Sequence, residues 1–282
     1  MPRGAPDDLD GLRSVTSRVH PFFASNRPLV FAHRGGADLA PENTVNAFDL
    51  GLALGADGLE IDVHLARDGV AVVHHDRTLD RTTNLHGPIA AQSSAELARA
   101  DAGYAFRRGD AFPFRGRGVS VPTLAEVLAR YPSIPIIVEL KTSSPVLARV
   151  TVDTVRRVDA GKRVCIGSFS WRALHAVRSL DPALATSASR EEVRWALYRS
   201  RLGWPVRRVS YGGYQVPEWS RSTRVVSPRF VGAAHQADLA VQVWVVNSPA
   251  DAHRFLEWGV DALITDRPDL LVPFVKDYLL SR

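Results

Sequence analysis

From residue 29 onward the chain alternates between short apolar runs and longer stretches in which apolar residues recur every three or four positions. Short runs bounded by turn residues predict buried strands, and the longer period predicts helices packed on one face. The first run, Leu29 to Ala32, leads into His33-Arg34-Gly35-Gly36. Within Thr44 to Ala56, Val45, Phe48, Leu52 and Ala56 share one helical face. Thr44, or Asn43 before it, can cap that helix by accepting a bond from a free backbone N–H. Gly58 to Leu65 and Val70 to His74 have strand character and are separated by Arg67-Asp68-Gly69, whose Asp-Gly pair favours a turn.

Residues 77–121 break this rhythm with Gly87-Pro88, Gly103, Gly109, Pro113, Gly116 and Gly118, and hold one short helical candidate, Ser94 to Arg99. A segment this long without regular structure predicts an insertion with a role of its own. Alternation resumes at Thr123, with helices predicted over 123–130, 145–159, 171–180, 191–201, 228–237, 249–258 and 268–280. The strands between them are predicted at 134–140, 163–168, 183–187, 207–211, 240–246 and 261–265. With the strands at 29 and 58 this makes eight, each followed by a helix or by the insertion. Strictly alternating strands and helices require a parallel sheet, because each crossover returns the chain to the same end. Eight such units in about 250 residues predict an α/β fold of the (β/α)8 TIM barrel type, with a small insertion after the second strand. A doubly wound open sheet is the alternative, but no G-x-G-x-x-G follows the first strand. Residues 1–28 lack periodicity and are expected to be an N-terminal extension to a barrel spanning 29–282.

The composition of the 282 residues, 45% hydrophobic and 23% charged, is that of a folded protein and excludes global disorder. A single cysteine, Cys165, excludes an internal disulfide and any cysteine-rich metal cluster. No apolar run approaches the ~18 residues needed to span a bilayer. The first residues are acidic where a signal peptide would be basic. A soluble cytoplasmic protein without integral membrane association is the expectation. The net charge of +5 leaves nucleic acid, an anionic surface or an anionic substrate as candidate partners. The arginines are scattered and not interleaved with aromatics as in a strand-binding groove, so nucleic acid is not expected.

In a (β/α)8 barrel, chemistry collects at the C-terminal ends of the strands. Polar residues at those ends are therefore the candidates. The first strand ends in His33-Arg34. The second carries Glu60, Asp62 and His64 two apart and thus on one side. Glu139 and Lys141 share a side of the next strand, the hairpin return ends in His74-His75-Asp76, and Trp244 and Asn247 close a later strand. Like carboxylates resist ionising together in a low-dielectric cavity. A hard divalent cation, Mg²⁺ or Ca²⁺, resolves this for Glu60, Asp62 and Glu139. The alternative is that arginines pair with the acids. His33 and His75 flank the acidic patch and have the pKa range that acid–base work near neutral pH requires. His64 is open between a metal neighbour and a deeper structural position. His20, His86, His175, His235 and His253 have nothing chemical placed beside them.

The segments HRGGADLAPENT (33–44), GLEIDVHLARDGVAVVHHD (58–76) and VELK (138–141) together resemble the glycerophosphodiester phosphodiesterases. DRTT (80–83), VPTLAEVL (121–128), GSF (167–169), VWVVN (243–247) and ITDRP (264–268) extend the resemblance over about residues 29–270. It implies a barrel with an insertion after the second strand, and hydrolysis of small glycerophosphodiesters, such as glycerophosphocholine or glycerophosphoethanolamine, to glycerol 3-phosphate and an alcohol. It places His33 and His75 on the acid–base pair and Glu60, Asp62 and Glu139 on the divalent-metal ligands. Arg34 and Lys141 fall on phosphate-contacting positions, Trp244 on the glycerol pocket and Phe169 near it. Glu42 falls on a residue that supports the site from behind, as a partner of Arg34. Of the adjacent histidines the family aligns the one before Asp, which is His75. Val245 stands where many members carry Thr.

The physical account pairs the cation, Arg34 and Lys141 against charge on the nonbridging oxygens, while one histidine deprotonates the nucleophile and the other protonates the leaving alkoxide. The nucleophile can be water or the neighbouring glycerol hydroxyl. A lysophospholipase D-like or sphingomyelinase D-like enzyme is the nearer rival, with Tyr104, Phe106, Phe112 and Phe114 of the insertion as its lipid contact. A barrel that binds without catalysis is the more distant one.

Overall fold

Eight parallel strands surround one axis in the computed structural model, which describes residues 20–207 and 209–282. They are β1 (Leu29–His33), β2 (Gly58–Leu65), β3 (Ile136–Leu140), β4 (Val164–Gly167), β5 (Ala185–Thr186), β6 (Gly213–Pro217), β7 (Ala240–Trp244) and β8 (Ala262–Thr265). Each pairs with its neighbour in sequence, β8 pairs with β1, and the one weak seam, between β5 and β6, is bridged at Ser187 and Gly213. The barrel helices are α1 (Val45–Ala53), α2 (Leu124–Arg130), α3 (Pro145–Arg157), α4 (Trp171–Leu180), α5 (Arg190–Leu202), α6 (Pro228–His235), α7 (Pro249–Glu257) and α8 (Pro268–Leu280), and the insertion adds one short helical turn at Ser94–Leu97. All but α8 start on a Ser or Thr whose side chain accepts a first-turn N–H, beginning with Thr44 of α1. Such caps satisfy donors that the helix itself leaves unpaired, so each turn from strand to helix is fixed at the rim where chemistry gathers. No helix among the described residues is long and apolar enough to cross a membrane.

Side-chain alternation divides each strand between two environments. Leu59, Ile61 and Val63 of β2 and Ile136, Val138 and Leu140 of β3 face the helices and join one outer core. Phe31, Ile137, Cys165 and Ile264 point inward and fill the barrel. The next inward positions along β1, β3 and β8 are His33, Glu139 and Asp266, so the apolar filling forms the floor of the polar site above it. Phe22 joins this filling from below, its ring 5.9 Å from that of Phe31. Chain N-terminal to β1 thus packs into the barrel already at Pro21–Phe23; residues 1–19 lie outside the described residues.

The sixth strand differs from the pattern-based expectation of 207–211, a stretch that includes residue 208, outside the described residues. Val209 is exposed, and the strand begins instead at Gly213. A Cβ on Gly212 would lie 2.3 Å from the Phe23 ring, and one on Gly213 2.8 Å from the Ala240 carbonyl oxygen. The strand therefore enters where glycines admit Phe23, and Tyr214 and Val216 supply its buried face. This contact joins residues remote in sequence, which local alternation cannot register.

The insertion after β2 has a small core of its own, in which Leu79, Ile89, Leu97, Val119 and Val121 pack on Ala66 and Val72. A short strand, Ala71–Val73, returns antiparallel along β2 and delivers His74 and His75 to the rim.

Candidate active site

Register brings the acidic residues together. His33 lies beside Glu60 across β1 and β2, and Asp62 beside Glu139 across β2 and β3. Carboxylate oxygens of Glu60, Asp62 and Glu139 lie within 4.8 Å of one another at the base of a cavity of about 630 Å³. His33, Arg34, His75, Lys141, Phe169 and Trp244 also line it.

Two cations penetrate this cluster. Lys141 Nζ bridges Asp62 Oδ1 at 3.2 Å and Glu139 Oε1 at 3.1 Å. Arg34 donates from its backbone N–H to Glu60 and from its guanidinium to Glu42, 2.9 Å away. Its Nε is 3.2 Å from Asp62 Oδ2 but out of line for a hydrogen bond, and it is a buried donor without a partner among the described residues. Asn43, in a left-handed backbone conformation, donates to Asp62 Oδ2 at 2.8 Å and accepts from the Asp62 N–H.

The charges do not balance evenly. Burial raises the Asp62 pKa, but Lys141, Arg34 and His75 outweigh it and hold the carboxyl below its usual range. Glu139 is pushed up by burial, only partly relieved by Lys141. Glu60 is pushed up to about 8 by burial and by the Asp62 charge. The cluster thus has one carboxylate more than its fixed cations offset. Three converging oxygen donors with excess negative charge suit a hard divalent cation such as Mg²⁺ or Ca²⁺, so the residues fit the expected group.

Each rim histidine is held by an aspartate through Nδ1. His33 Nδ1 is 2.6 Å from Asp266 Oδ1, and His75 Nδ1 is 2.6 Å from Asp76 Oδ1. With Nδ1 engaged, Nε2 remains for proton exchange; that of His33 is 3.8 Å from Glu60. Burial lowers the His33 pKa, but the Asp266 bond and the Glu60 charge overcome it and the net shift is upward. Burial dominates at His75, and the shift is downward. Asn247 donates to Asp266 Oδ2 and accepts from the Asp266 N–H, fixing that carboxylate.

Asp76 is the start of a relay. Arg81 grips Asp76 and, through two further bonds of 2.7 and 2.8 Å, Glu42, which in turn holds Arg34. The Glu42 carboxyl is driven down to about 2, since Arg81 and Arg34 together overcome its burial. His74 is buried with Nε2 near the Thr78 carbonyl oxygen. His64 is buried too, its Nε2 3.0 Å from the His75 carbonyl oxygen; it supports the His75 backbone and lies outside the carboxylate cluster. Trp244 meets Phe169 edge to face, ring centres 5.9 Å apart, forming an aromatic wall of the cavity.

Asp266, Asp76 and Arg81 stand in the quoted motifs with no role assigned from sequence, and Asn43, a cap candidate there, instead holds Asp62 while Thr44 caps α1. An orienting carboxylate for each candidate histidine is the signal that sequence offers: Asp76 follows His75 directly, and Asp266 follows the last strand.

A barrel rim that gathers buried carboxylates, interleaved cations and two aspartate-held histidines has the make-up of a phosphodiester hydrolase. Residues 33–270 match the model of the Glycerophosphoryl diester phosphodiesterase family. The chain belongs to that family, and glycerophosphodiester phosphodiesterase activity follows from membership. It is 31% identical over 266 residues to the glycerophosphodiester phosphodiesterase of Caldanaerobacter subterraneus subsp. tengcongensis, covering 89% of this chain and 98% of the relative. The crystal structure of glycerophosphodiester phosphodiesterase from Agrobacterium tumefaciens superposes with a TM-score of 0.71 at 29% identity, over 88% of this chain and 99% of that one. An Oleispira antarctica phosphodiesterase in complex with the product sn-glycerol-3-phosphate superposes with a TM-score of 0.71 at 26% identity, over 89% and 97% of the two chains.

Proposed function

We propose that the enzyme hydrolyses small glycerophosphodiesters, such as glycerophosphocholine or glycerophosphoethanolamine, to glycerol 3-phosphate and the free alcohol, with His33 and His75 exchanging protons beside a divalent-cation site. The observation that carries this reading is the placement of two histidines, each tied to an aspartate, at the edge of the Glu60, Asp62 and Glu139 cluster. The product named for the Oleispira antarctica structure supports glycerol 3-phosphate as the common product.

Glu60, Asp62 and Glu139 would hold the cation, which when bound supplies positive charge against the phosphoryl oxygens. Arg34 and Lys141, both lining the cavity, attract the diester from the same side. One histidine removes a proton through Nε2 from the attacking water or neighbouring glycerol hydroxyl, and the other returns a proton to the leaving oxygen; where the glycerol hydroxyl attacks, water then opens the cyclic phosphate. Asp266 and Asp76 keep each ring in the tautomer and orientation that this exchange needs. Trp244 and Phe169 offer an apolar wall to the carbon skeleton of the glycerol.

A lysophospholipid substrate is not favoured by the insertion. Arg115 lies 4.2 Å from the Tyr104 ring centre and 3.6 Å from that of Phe112, so one face of each exposed ring is taken by a guanidinium. No residue of 77–121 lines the cavity.

The test is glycerol 3-phosphate release from glycerophosphocholine and glycerophosphoinositol, first after EDTA stripping and then with Mg²⁺ or Ca²⁺ restored. Release should vanish on stripping and return with one ion. His33→Ala and His75→Ala should each lower turnover by about 100-fold or more with folding intact. Near-normal turnover in either variant would defeat the two-histidine assignment.

A further inference from the structure

Among the barrel helices α5 is distinctive in how little of itself it buries: Ala196 and Ser200, against six residues in α3. It follows β5, beside the one weak seam of the barrel. The helix face made by Arg190, Val193, Arg194, Leu197, Tyr198 and Arg201, spaced at single helical turns, lines the same cavity as His33 and His75. Arg221, from the turn between Ser220 and Thr223, is a fourth arginine in the same lining.

Twelve arginines among the described residues are ion-paired with a carboxylate, Arg178 with Glu192 of α5 included. Among the described residues none of these four has a carboxylate oxygen within 4.0 Å. Among the described residues the only acidic ones lining the cavity are Glu60 and Glu139, at its base. The carboxylates at the base are thus met by Arg34 and Lys141, whereas the outer guanidinium groups beside the apolar wall have no carboxylate partner; Arg201 donates to the Arg224 carbonyl oxygen at 3.4 Å. Arg190 connects the two regions: its guanidinium lies 5.1 Å from the Phe169 ring centre, and Phe169 meets Trp244.

We propose that this outer region is a leaving-group subsite that selects diesters whose alcohol portion bears its own negative charge, a phosphate or carboxylate on a polyol or sugar skeleton. The proposal rests on the diester-hydrolase reading above and narrows its substrate class. With glycerol phosphate at the base of the cavity, the alcohol extends outward along α5. Its C–H faces meet Val193, Leu197 and Tyr198, and its anionic group meets Arg190, Arg194 and Arg201, a fit suited to guanidinium recognition of phosphate. A cationic alcohol such as choline meets the same field with the wrong sign, so glycerophosphocholine is cleaved as a poorer substrate than an anionic diester.

Glycerophosphoinositol 4-phosphate and glycerophosphoinositol share one skeleton and differ by one phosphate. The wild-type kcat/KM ratio of the first to the second should be at least about tenfold. It should collapse toward one in the Arg190→Gln/Arg194→Gln/Arg201→Gln variant, and stay at the wild-type value in Arg149→Gln/Arg157→Gln, which removes exposed charges from α3. A wild-type ratio near one, or a ratio unmoved by the triple substitution, overturns the subsite. A ratio near one combined with cosedimentation on phosphatidylglycerol vesicles that the triple variant loses overturns it too, and gives the arginines to a bilayer surface. Calorimetry with inositol 4-phosphate separates this proposal from the reaction itself. If neither diester is cleaved, binding that the triple variant weakens at least about tenfold still supports the subsite, and absence of binding by the wild type overturns it.

Discussion

His33 Nδ1 and Asp266 Oδ1 lie 2.6 Å apart although the two residues stand at opposite ends of the barrel sequence. The pairing of β1 with β8 makes them neighbours, so closing the barrel also assembles half of the proposed acid–base pair. Asp266 acts through His33, as a positioning residue, and its replacement has a defined signature. Asp266→Asn removes the negative charge and disturbs the tautomer of the ring, so kcat should fall by roughly 100-fold. Because Asp266 helps to hold the His33 pKa up, the pH–rate limb belonging to His33 should move to lower pH in the variant. Pre-steady-state or steady-state profiles from pH 5 to 9 read this directly. An unmoved limb would assign Asp266 a packing role only.

The raised pKa of Glu60 makes both stability and cation affinity depend on pH. A carboxyl whose folded value is lifted from 4.5 to about 8 stabilises the metal-free fold below the unfolded value, and that contribution is lost as pH rises through about 8. Metal-free protein should therefore melt at progressively lower temperature between about pH 4.5 and 8. Cation binding needs the ionised form, so apparent affinity should rise over the same interval by at most roughly tenfold per pH unit. Thermal melts with EDTA and with Mg²⁺ check both slopes, and Glu60→Gln should flatten them.

Arg81 secures Asp76 and Glu42 at once, and Arg81→Met leaves two carboxylates short of a partner. Loss of the charged hydrogen bonds to the mostly buried Glu42 should destabilise the fold by about 1–3 kcal/mol. The Glu42 carboxyl, held near 2, contributes stability that is fully present above 4.5 and is lost as pH falls through 2. In the variant its folded pKa returns toward 4.5, so the acid-unfolding midpoint should shift upward. Circular dichroism between pH 2 and 5 measures the shift.

Gly35 turns the chain out of β1 with φ near +89°, and a Cβ there would lie 2.7 Å from the backbone of Ala47 in α1. Backbone strain and collision with a helix act together. Gly35→Ala should destabilise the fold by about 2–3 kcal/mol and lower turnover through the displaced Arg34. Urea unfolding measures the first effect. Unchanged stability would show that α1 yields at this point.

Local pattern was sufficient for most of the architecture. The alternation of apolar runs with amphipathic stretches, the Ser and Thr caps, and the Gly- and Pro-rich break after β2 are interactions among near neighbours, so sequence alone determined eight strands, their helices and the insertion. The same holds for the facing of Glu60 and Asp62, because a strand repeats every two residues. Tertiary structure decided what depends on distant partners. The sixth strand begins at Gly213 because Phe23 packs beneath it, and Asp266 reaches His33 because the barrel closes. Arg81 joins Asp76 to Glu42 because the insertion folds back over the rim, and the arginines of α5 share a cavity with the histidines because that helix stands beside the weak seam. Hydrophobic periodicity records which face of an element is buried; it carries no information about which remote charge or ring will lie against that face, and the site is made of such meetings.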